Sequence, residues 1–212
     1  MRIDVFSDTV CPWCFIGKRH LQAALVDAVL LDADIHWHAF QLNPDMPPEG
    51  RDRKQYLDAK FGGPEAAERI YTRVRDAGRG AGIDFRFDRI KRSPNTFNSH
   101  RLIRLATTRG KADAMVESLF RGYFIEGRDI GDNAILAQLG AAAGMEGDLS
   151  AWLSSDNDTD EVRADLHTAA QLGISGVPFF ILDNRYALSG AQPVEIFTQA
   201  LKAARQKSKA VN

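Results

Sequence analysis

The sequence predicts an α/β fold in which a long helical segment separates two α/β ends. Three observations carry this reading: an opening β–α–β pattern, a middle of nearly unbroken helical periodicity, and a closing α–β–β–α pattern. The chain has 212 residues, 44% of them hydrophobic and 26% charged, ordinary values for a globular protein with a substantial core. The patterns divide it into a discontinuous α/β domain, residues 1–47 and 158–212, and an inserted helical subdomain, residues 48–157.

Each element has its own signal. Ile3-Asp4-Val5-Phe6 has the β-branched and aromatic character of a buried strand, and Ser7-Asp8-Thr9-Val10 reads as its exit loop. A helix follows, with a stripe of Leu21, Ala24, Leu25, Ala28 and Val29; Gly17 on that face would let it approach a sheet closely. Ile35-His36-Trp37-His38-Ala39-Phe40 alternates as a second strand, and the β–α–β connection predicts parallel pairing with a right-handed crossover. Pro44, Pro47, Pro48 and Gly50 then mark a loop. Helical stripes follow at Tyr56, Leu57 and Phe61, and at Leu102, Leu105 and Ala106. Met115, Val116, Leu119, Phe120, Tyr123 and Phe124 form another, as do Ile135, Leu136, Leu139, Ala142 and Ala143. All read as packing. Asp84 to Asp88 reads as a brief extended segment. Near the end, Val162, Leu166, Ala169 and Ala170 share a helix face that stops at Gly173. Pro178 to Leu182 is a strand, Asp183-Asn184 a turn, and Arg185 to Ser189 its antiparallel partner. A last helix follows Pro193, with Ile196, Phe197, Ala200, Leu201 and Ala204 inward.

The chemistry concentrates in Cys11-Pro12-Trp13-Cys14, which holds both cysteines of the chain. Pro12 suits the first helical position, because its fixed φ fits a helix start and its missing N–H is not needed there. Cys11 is then the N-cap and Cys14 the third helical residue. A thiolate at Cys11 would face free amides and the positive end of the helix dipole. Such placement lowers cysteine pKa values from about 8.5 into a range of roughly 3.5–7.5. Cys14, one turn along, lies within reach of a disulfide, whose Cα separation is typically about 4.4–6.8 Å. Cys11 reads as the attacking thiol and Cys14 as the resolving one. The competing readings are half of a zinc site, completed by His20, His36, His38, His100 or His167, and a pair of inert buried thiols. A helix opening at Pro-Trp fits redox chemistry better, so no metal is expected.

Bulk properties remove other classes. Net charge is −1 and the one basic run, Lys202 to Lys209, reads as a solvated helix end, so no nucleic acid is expected. No apolar stretch approaches the roughly 18 residues of a membrane span, and the first residues lack a signal-peptide pattern. The expected location is the cytoplasm, where a lone Cys-x-x-Cys is redox-active more often than structural. Oligomeric state is not legible.

The β–α–β unit with Cys-x-x-Cys at its helix, together with Gly173-Ile174-Ser175-Gly176-Val177-Pro178-Phe179-Phe180, resembles the thioredoxin fold, and the helical insertion resembles its DsbA-type branch. Phe6-Ser7-Asp8, Ile16-Gly17-Lys18-Arg19, Leu42 to Gly50, Asn95-Thr96 with His100-Arg101, and Ser189 to Pro193 look like the FrnE-like subfamily of DsbA-like oxidoreductases. Related proteins on this fold include 2-hydroxychromene-2-carboxylate isomerase and kappa-class glutathione transferases, which typically carry serine where Cys11 stands. The resemblance implies a thiol–disulfide oxidoreductase with protein disulfide isomerase activity and Cys11 and Cys14 as catalytic residues. It implies a cis peptide before Pro178 and substrate contacts at Trp13, Val177, Pro178, Asn43, Asn95, Thr96 and His100. Implied substrates are disulfide-containing proteins or low-molecular-weight thiols, with no bound cofactor and with glutathione or another thiol reductant as co-substrate. The alternatives are a glutathione-dependent small-molecule isomerase or transferase and a redox-regulated binding protein. Trp13 stands where the DsbA tetrad has histidine, which implies a less oxidising couple here.

Overall fold

Strand β1 (Arg2–Ser7) leads through the Cys11 turn into helix α1 (Pro12–Asp27), which returns to strand β2 (Asp34–Ala39). β1 and β2 pair in parallel from Arg2 opposite Asp34 to Ser7 opposite Ala39. This is the computed structural model of the chain, which describes residues 1–209 and side chains as far as residue 206. Of the basic run read as a solvated helix end, the side chains of Lys207 and Lys209 therefore lie outside the described residues.

The middle of the chain opens with β3 (Arg51–Asp52), α2 (Arg53–Phe61) and α3 (Pro64–Gly80). A 3-10 turn at Phe87–Arg89 and β4 (Arg92–Ser93) follow, then α4 (Phe97–Thr108), α5 (Ala112–Phe124), α6 (Asn133–Ala142) and α7 (Leu149–Leu153). Asp84 to Asp88 is thus not the extended piece. The extended piece is a two-residue ribbon, Arg51–Asp52 against Arg92–Ser93, too short to show any alternation. The chain closes with α8 (Thr159–Gln171), β5 (Phe179–Leu182), β6 (Tyr186–Ser189) and α9 (Val194–Lys209).

The main sheet has the order β2-β1-β5-β6, with β1 antiparallel to β5 and β5 antiparallel to β6. The three-residue β5–β6 connection, Asp183 to Arg185, puts Asp183 and Asn184 at φ of 47° and 53°, left-handed values whose twist suits the flanking strands. β1 is central and fully buried from Ile3 onward, so the Cys turn at its end is anchored by the deepest strand.

One continuous apolar cluster runs from Ile3 and Val5 through Phe15 to Phe120 and Phe124, binding the sheet layer to the inserted helices. Phe15, next to Cys14, stacks on Phe120 with centroids 5.0 Å apart. α9 buries Phe197, Leu201 and Ala204 completely, whereas Ile196, expected inward, is 40% exposed. The spacing of those three defines the inward stripe, and Ile196 falls one residue, about 100°, outside it.

Candidate active site

Cys11 is the N-cap of α1, with extended backbone (φ −92°, ψ 110°) and Pro12 as the first helical residue. Its N–H donates to the Asp8 carbonyl at 3.0 Å, and its own carbonyl accepts from the Cys14 N–H at 3.0 Å, fixing both sulfurs to one turn. Both cysteines are free thiols and both are nearly enclosed, Cys11 at 3% and Cys14 at 1% exposure. The Cys11 thiol does not cap the helix amides. It points across to the Val177 carbonyl, 3.5 Å from Sγ, because a protonated thiol is a donor and needs an acceptor. The helix amides remain for the anionic form.

The two sulfurs differ in access. Cys11 lines a cleft of about 340 Å³, and Cys14 does not. Burial, and next the neighbouring Cys11 sulfur, push the Cys14 thiol well above the ordinary cysteine range; weaker hydrogen bonds from Ser7 and the Asp8 main chain oppose this. One thiol is presented and the other is held protonated behind it.

Opposite Cys11, the Val177–Pro178 peptide is cis. Val177 and Gly176 form that wall of the cleft, while Pro178 is buried behind it. Gly17 of α1 makes this approach possible: a Cβ there would lie 2.9 Å from Pro178 Cγ and 3.1 Å from Phe180 Cζ. Trp13, 40% exposed, and Leu42 stand on the rim.

The remaining expected contact residues separate into two groups. Asn43 lines the cleft, its Oδ1 accepting from Tyr56 Oη and from Lys60 Nζ, the latter at 2.9 Å. Asn95, Thr96 and His100 do not line it. Asn95 is occupied in the loop, donating to the Met46 carbonyl and accepting from the Phe97 N–H at 2.9 Å. Thr96 is buried at the start of α4. His100 is buried beside Asp8, with Nε2 3.5 Å from Asp8 Oδ1 and neither atom hydrogen-bonded. Asp8 Oδ2 accepts from the Leu42 N–H at 2.8 Å. Asn95, Thr96 and His100 thus lie off the surface of the cleft.

Three of the five histidines of the zinc alternative are engaged elsewhere. His20 meets the Gln192 carbonyl at 2.8 Å, His36 meets Asp34 at 2.7 Å, and His38 lies between Asp4 and Asp165. Among the described residues no three His, Cys, Asp or Glu side chains are grouped to hold a metal.

The far wall of the cleft went unread in the sequence. Arg53, Tyr56, Leu57, Lys60 and Phe61 of α2 form it, with Ile70, Tyr71 and Val74 of α3 and Tyr123 of α5. Arg53 Nη1 donates to Tyr123 Oη and Nη2 to Tyr71 Oη, each at 3.0 Å. The available signal was Tyr123, the one phenol in an otherwise apolar stripe, since a buried hydroxyl calls for a polar partner.

The family model of the DSBA-like thioredoxin domain matches residues 2–202. A probable DsbA oxidoreductase of Streptomyces coelicolor, SCO1869, superposes with a TM-score of 0.89 at 35% identity, over 97% of this chain and 90% of that one. A 2-hydroxychromene-2-carboxylate isomerase superposes with a TM-score of 0.75 at 16% identity, over all of both chains. The cytosolic disulfide reductase DsbM of Pseudomonas aeruginosa, solved with GSH, gives 0.67 at 20% identity, over 97% of this chain and all of that one. YwbO of Bacillus subtilis is 26% identical over 213 residues, 98% of each chain.

Proposed function

The chain belongs to the DSBA-like thioredoxin domain family, and from that premise we propose that it is a thiol–disulfide oxidoreductase, with isomerase activity, working through Cys11-Pro12-Trp13-Cys14. The observation that carries this reading is the asymmetry of the pair: Cys11 on the cleft at a helix N-terminus, Cys14 behind it with its proton held.

Cys11 loses its proton to solvent, and the free amides of α1 stabilise the thiolate. The thiolate attacks one sulfur of a substrate disulfide, forming a mixed disulfide and releasing the other sulfur as a thiolate. Once Cys11 is bonded, its negative charge no longer opposes ionisation of Cys14. Cys14 then loses its proton and attacks Cys11 Sγ, closing the Cys11–Cys14 disulfide and releasing the second substrate thiolate. Two electrons pass from the protein to the substrate, and an external thiol such as glutathione returns the pair to the reduced form. Val177 presents main chain beside Cys11, where an extended substrate segment can pair with it.

The test is equilibration in graded reduced and oxidised glutathione, followed by alkylation and mass measurement. The expected result is one two-thiol transition to an intramolecular disulfide. Its midpoint sets the direction of exchange. Lasting single glutathione adducts, or no transition, would sink the reading.

A second reading has support from the aromatic far wall, Tyr56, Phe61, Tyr71 and Tyr123, which suits a small aromatic substrate. In it, Cys11 positions a glutathione thiolate for isomerisation without exchanging with it. The same titration separates the two, because that chemistry needs no disulfide between Cys11 and Cys14.

A further inference from the structure

We propose that Arg53 is the anchor for a carboxylate on the disulfide entering this cleft, so that the substrates are low-molecular-weight thiols bearing a carboxylate, in their disulfide form. The inference rests on the exchange reading above and names the substrate class of that site.

The charge of the cleft is one-sided. Among the described residues, Arg53 and Lys60 are its only charged lining residues, and no aspartate or glutamate lines it. Arg53 is 9% exposed, yet among the described residues it forms no ion pair. Three nearby carboxylates are committed: Asp52 caps α2 by accepting from the Gln55 N–H at 3.0 Å, Glu68 pairs with Arg75, and Asp88 pairs with Arg86 at 3.0 Å; Asp58 shares a neighbouring groove with Arg53 but forms no ion pair with it among the described residues. The two hydroxyls that accept from Arg53 are phenols whose ionisation burial, as the largest effect, pushes above the ordinary tyrosine range. They therefore supply no counter-charge at neutral pH.

The guanidinium lies over the rings of Tyr71, Phe87 and Tyr123, at 5.2, 6.0 and 6.0 Å, which offsets part of its desolvation but supplies no anionic partner. The guanidinium has five N–H donors, of which Tyr71 and Tyr123 take two. The planar remainder matches two carboxylate oxygens, a pairing that a lysine ammonium cannot reproduce. A cleft of about 340 Å³ is the size of a small-molecule site, and Leu57, Ile70 and Val74 supply apolar wall for a short carbon chain. Lys60, on the same helix about two turns further along, adds a second positive charge.

The test is single-turnover oxidation of the fully reduced protein by 3,3′-dithiodipropionate and by its diamide, which share a carbon skeleton and differ in charge. Each oxidation yields one Cys11–Cys14 disulfide and two small thiols, so no further reductant is required. Each rate is divided by the same disulfide's rate with free 2-mercaptoethanol, removing intrinsic reactivity. A charge-assisted hydrogen-bonded contact predicts that the protein favours the dicarboxylate by about 10- to 100-fold, and that Arg53→Gln brings the ratio close to one. A general folding defect slows both oxidations and leaves the ratio standing. Should Arg53→Gln not fold, Arg53→Lys replaces it and must lower the ratio severalfold, since the charge stays and the fork is lost. An unselective wild type overturns the inference, as does a preference that survives Arg53→Gln and vanishes in Lys60→Gln. If neither disulfide oxidises the protein, the exchange reading fails, and binding of 3,3′-thiodipropionate, a thioether unable to exchange, decides the anchor separately. Binding at least tenfold weaker in Arg53→Gln supports the anchor, and equal binding overturns it.

Discussion

The two sulfurs share a helical turn and differ in their surroundings, and this difference is measurable at each atom. Cys14 is enclosed, and burial with the adjacent sulfur holds its thiol protonated well above the ordinary range. Brief treatment of the reduced protein with iodoacetamide near neutral pH should therefore give a single adduct, mapped to Cys11. Labelling of Cys14 should follow only at strongly alkaline pH or after unfolding. Equal labelling of both residues at neutral pH would remove the assigned roles. Trp13 is the second lever at this scale. It sits between the cysteines, 40% exposed on the rim, and brings no positive charge to the thiolate. Trp13→His adds a partly cationic ring beside Cys11 and favours the reduced form, so the couple should become more oxidising. The readout is the glutathione midpoint of the variant. A potential that is unchanged, or lower, would count against this account of Trp13.

Among the elements, α1 and the strand that begins after Pro178 are locked together through a residue with no side chain. A methyl group on Gly17 would lie 2.9 Å from Pro178 Cγ, closer than packed carbons tolerate. Overpacking of that kind costs about 1–3 kcal/mol, against about 1 kcal/mol gained from replacing glycine by alanine within a helix. Gly17→Ala should therefore lower stability by up to about 2 kcal/mol, a Tm loss of several degrees for a chain of this size. Because the displaced group backs the Val177 wall of the cleft, single-turnover oxidation should slow as well. A variant as stable and as fast as the parent would show that Pro178 moves freely. The role of Gly17 was readable in advance, since a small residue on an apolar helix face marks a close approach. So were β1, β2 and the β5–β6 hairpin, whose alternation, β-branched residues and Asp183-Asn184 turn are local signals. The β3–β4 ribbon was not, because its register joins Arg51 to Ser93 and two residues carry no period. Arg53 was hidden for a related reason. It is the first residue of a short helix of low apolar content, and its partners, Tyr71 and Tyr123, come from two other helices.

Across the whole molecule, contacts that join distant parts of the chain are the ones that local pattern leaves out, and the half-buried His38 of β2 makes the clearest of them. His38 stacks on Phe6 with centroids 4.7 Å apart, while its Nε2 meets Asp4 Oδ1 at 2.8 Å and its Nδ1 meets Asp165 Oδ1 at 3.0 Å. Asp165 also accepts from the Ala39 N–H at 3.2 Å, so α8 is tied to the edge strand by a residue 127 positions from His38. In the sequence His38 stands out only as one of five histidines of a competing zinc reading, whereas its partners are carboxylates on β1 and on a later helix. Burial works against charge on His38, but the hydrogen bonds and charges of Asp165 and Asp4 outweigh it and raise its pKa above the ordinary 6.5. For a base whose folded value is raised, the stabilisation is complete below the unfolded value and disappears as pH rises through the folded one. Asp4 behaves oppositely: burial is the largest effect and raises its pKa, yet the bonds from Arg2 and His38 prevail and hold it below 3.8. Its contribution is complete above 3.8 and fades as pH falls through the lowered value. The network therefore stabilises most between the two ordinary values, about pH 4 to 6.5. His38→Gln keeps hydrogen bonding and removes the charge. Tm measured from about pH 5 to pH 9 should show the parent ahead of the variant at the acid end, with the gap closing as pH rises through the folded value of His38. A gap that stays constant over that range would mean that His38 holds α8 by packing and neutral hydrogen bonds, with no ionic part.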